Sequence, residues 1–139
     1  ICAGRAHGIA RLGTPLIALA TASAILSGCT SAGLQKTTQQ AQSVIGAAAL
    51  TLDQYAEGRS AGLFVRASID EYVGTLTKTQ ARLGAIEPPP EQRAHYDSAV
   101  SATTDALAAL HALPSGITRG AARAAAARLH ADLARLSAT

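Results

Sequence analysis

The sequence is poor in most of what marks a reactive or cross-linked protein. It contains no methionine and no tryptophan, and only one phenylalanine and two cysteines among 139 residues. Without Met, a haem held in a bundle by one His and one Met is excluded, and no C-x-x-C-H run offers covalent haem attachment. Four large aromatics, Tyr55, Phe64, Tyr72 and Tyr96, are too few and too scattered to form a base-stacking platform for nucleic acid. A glycine-rich phosphate loop and a pair of catalytic carboxylates are missing as well. Of the five prolines, three stand together at Pro88, Pro89 and Pro90, so long stretches carry no helix breaker. Alanine fills that space. It dominates segments such as Ala121 to Ala127, and as the strongest helix former it also lets backbones approach closely.

The first 28 positions lack any acidic residue. They have the three parts of a secretory leader: Arg5 and Arg11 in a basic start, an apolar run from Leu16 to Leu26, and small residues Ser27 and Gly28 before a cysteine. The chain opens on Ile rather than Met, so the basic start is expected to extend further upstream. An uncleaved anchor is the other reading of this segment. The uncharged run from Leu12 to Gly28 is interrupted by Pro15, Thr14, Thr21 and Ser23, and falls short of the roughly 20 apolar residues a spanning helix needs.

The four residues Leu26-Ser27-Gly28-Cys29 resemble the lipobox of bacterial lipoproteins. The resemblance covers this segment alone. It implies that a dedicated signal peptidase recognises Leu26, Ser27 and Gly28 and cuts before Cys29. It further implies that Cys29 carries a diacylglyceryl group on sulfur and an acyl chain, such as palmitate, on its new amine. Each buried methylene contributes roughly 0.8 kcal/mol, and two or more chains give stable anchoring. Thr30 is unlike the aspartate with which that family retains some members at the inner membrane. The implied location is therefore the outer membrane, facing the periplasm, in a two-membrane envelope, and otherwise the outer face of the plasma membrane.

Cleavage would leave 111 of the 139 residues, the size of one small domain. Arg5 and Arg11 would leave with the leader, so that ten basic residues face nine acidic ones and the net charge falls from +3 to +1. No basic surface then calls for nucleic acid. Cys2 would leave too, and Cys29 alone cannot form an internal disulfide. Stability must come from packing.

The expected division is a leader over 1–28, the lipidated cysteine and a short tether over 29–33, and a helical domain over 34–139. A tether of residues 30–33 reaches about 13 Å when extended, which holds the domain close to the lipid surface. A heptad seam follows through Leu34, Thr38, Ala41, Ile45, Ala48, Leu52 and Tyr55, with Gly58 as its stop. The second seam is Val65, Ile69, Tyr72, Leu76, Thr79, Leu83 and Ile86. Its start is set either by Ser60 or by the capping-box spacing Ser68 to Glu71. The earlier start is favoured because Leu63, Phe64 and Val65 are too apolar for a long exposed loop. Pro88 to Pro90 form a corner, with Pro90 suited to a first helical position and Glu91 to a helix N-terminus. Tyr96, Val100, Thr103, Leu107 and Leu110 make the third seam. Thr118 is placed to cap a fourth, through Ala122, Ala125, Leu129, Leu133 and Leu136. Similar lengths and short links predict an all-α, up-down-up-down four-helix bundle. The alternative is a three-helix bundle with a long bent first helix, dimerising to cover its stripe.

Three constellations suggest chemistry. Gly58-Arg59-Ser60-Ala61-Gly62 fits G-x-S-x-G, the nucleophile elbow of α/β-hydrolases, with Asp97 or Asp105 and His111 or His130 following in order. A helical seam rather than a strand leads into Gly58, which points to an interhelical turn instead. His95, His111 and His130 suggest a metal- or haem-binding bundle, but no Glu precedes a His by three residues. Folding helices three and four back on each other would put His130 near residue 101, about 9 Å along the axis from His95 and about 15 Å from His111. The fourth helix is basic, with Arg119 and Arg123 on one flank of its apolar stripe and Arg128 and Arg135 on the other, opposed only by Asp132. Split flanks suit solubility better than a docking patch.

The expectation from sequence is thus a non-enzymatic, membrane-anchored envelope lipoprotein, a binding, accessory or structural module. Its partners would be membrane lipid, the lipoprotein-processing enzymes and an envelope protein, with no nucleic acid. No cofactor is expected beyond the lipid on Cys29, and no catalytic or metal-binding residue.

Overall fold

The computed structural model describes the backbone of residues 20–138 and the side chains of residues 32–138. Among the described residues there are four α-helices and no strand: α1 (Ala20–Ala56), α2 (Gly62–Gly84), α3 (Arg93–His111) and α4 (Arg119–Ser137). A short 3-10 turn, Pro90–Gln92, leads into α3. Helix α1 packs on α2 and α4, and α3 packs on the same two, whereas α1 and α3 meet only weakly across the diagonal. This is the cyclic order of an up-down-up-down bundle in which every neighbouring pair is antiparallel. α1 and α2 are separate helices, so the three-helix alternative does not hold.

The first seam is buried as its spacing requires: Leu34, Ala41, Ile45, Ala48 and Leu52 lie inside, facing Val65, Ile69, Leu76 and Leu83 of α2. Thr79 and Thr103 are buried in the same core. Their hydroxyls bond back one turn, Thr79 to the Thr75 carbonyl at 2.9 Å and Thr103 to the Ala99 carbonyl at 2.7 Å, so neither donor is stranded in an apolar interior. α3 buries more than its expected seam. Ala99, Ala102, Ala106 and Ala109 are inside as well, while Tyr96 and Val100 are only half-buried. Alanine has no bulk to hold neighbours off, and the helix sinks between α2 and α4 on both flanks.

The turns follow local chemistry. Gly58 has φ +78°, with its N–H on the Tyr55 carbonyl at 2.9 Å and the Arg59 N–H on the Gln54 carbonyl at 2.8 Å. That pair of bonds is a Schellman motif, which satisfies the last carbonyls of α1 and needs a left-handed residue at this position. Thr118 caps α4 as expected, accepting from the Ala121 N–H at 3.1 Å. The proline corner differs slightly from expectation: Pro90 opens the 3-10 turn, and α3 proper starts at Arg93.

Two expectations for α2 are corrected. The helix does start early, and Ser68 to Glu71 lie inside it, but Ala61 rather than Ser60 holds the cap position and supplies no side-chain bond. Leu63 and Phe64 are helical yet 89% and 62% exposed. At 100° per residue Leu63 sits about 200° from the buried Val65, on the far side of the helix, so helicity alone does not cover it. Upstream, α1 is continuous through residues 30–33. As helix those four residues span roughly 6 Å instead of the 13 Å of an extended tether.

Candidate functional site

The expected processing residues Leu26, Ser27, Gly28 and Cys29 lie on the α1 backbone, and their side chains fall outside the described residues. Among the described residues, no helix is long and apolar enough to cross a membrane.

Ser60 sits on the turn between α1 and α2. Of the four candidates that follow it in sequence, three are engaged elsewhere or distant in the fold, and the fourth, His111, closes α3 at the Ser60 end of the bundle with no hydrogen bond to the serine. His130 Nε2 lies 2.8 Å from Asp53 Oδ2, joining α4 to α1. Asp105 is held by Arg135 at 2.7 Å. Asp97 belongs to the start of α3, at the opposite end of the bundle from Ser60. The structure therefore does not bring a serine, acid and histidine together. The three histidines likewise stay apart: His95 is near the start of α3, His111 closes it, and His130 faces α1 rather than residue 101. α1 and α4 are the most closely packed pair, and that contact turns the His130 flank of α4 toward Asp53. Among the described residues no three His, Cys, Asp or Glu side chains are grouped to hold a metal ion.

One polar feature does converge, between α3 and α4. Asp132 is only 4% exposed, on the α4 face that packs toward α3. Its Oδ1 contacts Arg135 Nη2, and the same nitrogen lies 2.7 Å from Asp105 Oδ2. Arg135 Nη1 also reaches the Ser101 hydroxyl at 3.5 Å. The second Asp132 oxygen, Oδ2, is buried with no hydrogen-bond partner. Desolvation holds the Asp132 carboxyl above the usual range, against the lowering pull of the Arg135 hydrogen bond and charge, and the Asp105 charge adds to the rise. The two carboxylates conversely push the already high Arg135 higher, chiefly through the bond to Asp105.

Beside this cluster runs an open groove of about 520 Å³, with Ala108, Ala109, Ala112 and Ala131 on its walls and Arg128 along its edge. Ala112 lies seven residues beyond Asp105, just past the end of α3, so the groove extends about 10 Å from its acidic cluster toward Arg128. Among the described residues Arg128 has no hydrogen-bond or ion-pair partner, and its side chain is exposed. Arg119 and Arg123 are not part of the groove. The expected split of the basic residues thus places Arg128 and Arg135 on one shared face.

In the sequence Asp132 stands out only as the one acid opposing the arginines of the fourth helix. The signal that finds it is the spacing itself: Ala122, Ala125, Leu129, Asp132 and Leu136 step by three, four, three and four, and Asp132 occupies the seam position. The chain matches no known protein family, no curated protein and no solved structure.

Proposed function

We propose that the chain is a bacterial envelope lipoprotein, anchored through acyl chains on Cys29, whose helical bundle serves as a non-enzymatic binding module. The observation that carries the anchor is the ordered leader: basic residues, an acid-free apolar run, then Leu26-Ser27-Gly28-Cys29 at the distance a cleavage site requires. The bundle supports the binding role. Its core is mostly apolar, with the Thr38 hydroxyl of α1 buried inside it, while the α3–α4 groove keeps charged capacity in reserve at Asp132 and Arg128. The proposed location is the outer membrane facing the periplasm, or the outer face of the plasma membrane where there is only one. Membrane lipid, the processing enzymes and an envelope protein are the proposed partners.

Cells expressing the chain with its native upstream region are fed a labelled fatty acid, and the protein is recovered. Label on the wild type and none on Cys29→Ala, with the variant migrating as the uncleaved precursor, is the expected result. Equal labelling of the two removes the anchor.

A further inference from the structure

A buried acceptor without a donor raises the free energy of a fold, since desolvation is not repaid by a bond. Asp132 Oδ2 is such an acceptor: Arg135 satisfies only Oδ1, and an alanine would fit the same seam as Ala122 and Ala125 do. The carboxylate lines the α3–α4 groove. Further along the same helix line, four residues and about 6 Å away, Arg128 projects an unpartnered cation over that groove. Apart from Asp105 and Arg135 beside Asp132, the rest of the lining is alanine. The volume, about 520 Å³, is that of a small-molecule site.

We propose that this groove binds a small zwitterion of the short-peptide class, its ammonium group on Asp132 and its carboxylate on Arg128, with a slim apolar body over Ala108, Ala112 and Ala131. Opposite charge at the two ends of the site selects a ligand with opposite charge at its own two ends. A simple cation would meet Arg128, and a simple anion would meet Asp105 and Asp132. Arg135 makes the acidic end available. It already holds Asp105 at 2.7 Å, so it can release Asp132 Oδ1 without losing its own counter-charge, and the freed carboxylate can turn so that the donorless Oδ2 also accepts from an incoming ammonium. This inference rests on the reading of the bundle as a binding module and not on the lipid anchor.

The test uses the full chain in nonionic detergent, with alanine methyls labelled for NMR and dialanine as the probe. Free dialanine shifts the methyls of Ala108, Ala109, Ala112 and Ala131 saturably, and Asp132→Ala and Arg128→Gln each weaken the apparent affinity about tenfold or more. N-acetyl-dialanine and dialanine amide, each lacking one charge, weaken it similarly. Circular dichroism of both variants remains helical, so a loss of binding is not a loss of fold. Unmoved methyls at millimolar dialanine overturn the proposal. So does a single cap that leaves affinity unchanged, because the site would then read only one charge. Such a failure leaves the fatty-acid labelling of Cys29 untouched, and the two readings fall separately.

Discussion

The Tyr55 hydroxyl donates to the Ile117 carbonyl at 2.6 Å, joining the end of α1 to the turn between α3 and α4 across 62 residues of sequence. Tyr55 is the last residue of the first seam, and Ile117 lies just before the Thr118 cap. One hydroxyl therefore fixes where α4 begins relative to α1, the pair with the closest packing in the bundle. Removing it as Tyr55→Phe leaves the ring in place and strands one carbonyl. A loss of about 1 kcal/mol is expected in urea titration, with an unchanged slope against denaturant.

Gly58→Ala tests the left-handed turn. An L-residue at φ +78° is strained, and its Cβ would come within 3.1 Å of the Arg119 guanidinium, a flexible group able to yield. The backbone strain therefore sets the outcome, roughly 1 kcal/mol of destabilisation in thermal melts. Gly74→Ala is the control. It is helical, no neighbour stands near its Cβ, and it should stabilise the protein by a similar amount.

Asp132→Ala runs against the usual expectation for a buried charged residue. Arg135 keeps Asp105, so the substitution strands no cation and removes an acceptor that has no donor. At neutral pH it should raise stability by about 1 kcal/mol. The folded-state pKa of Asp132 lies above its unfolded value, so the folded protein binds the extra proton. Stability from this group is fully present below the unfolded carboxylate pKa and is lost as pH rises through the folded one. The advantage of the alanine variant over wild type should accordingly shrink on acidification, and melts across that range read it directly. An advantage that grows toward acid would show the sign to be wrong.

Exposure and burial separate cleanly on α2 and α4. Leu129→Ala, in the core, should cost about 2 to 5 kcal/mol. Leu63→Gln and Phe64→Gln, both exposed, should each stay within about 0.5 kcal/mol of wild type in the same denaturation series.

The fold was legible because its periodicity is local. Steps of three and four through Leu34, Ile45 and Leu52, and again through Val65, Ile69 and Leu76, depend only on helix geometry, and the turn at Gly58 and the cap at Thr118 are read from single residues. Pairing between helices was not legible. The His130 to Asp53 contact depends on which flank of α4 meets α1, a matter of packing that no window of sequence contains. Asp132 was missed for a different reason. Choosing Leu133 for the seam, on hydrophobicity, moved the stripe by one residue and turned a buried carboxylate outward. Leu133 is in fact only partly buried, reaching toward Gly46 of α1.

The pairing of α1 with α4 sets how the domain answers force. Gln42 of α1 donates to the Leu136 carbonyl at 3.1 Å, so the last turn of α4 lies beside the middle of α1. A load drawn between residue 34 and Ser137 separates these two rods from one end, breaking their contacts in succession and never all at once. The molecule is built to peel rather than to resist shear, and a tug between those two points opens it at the α1–α4 seam first.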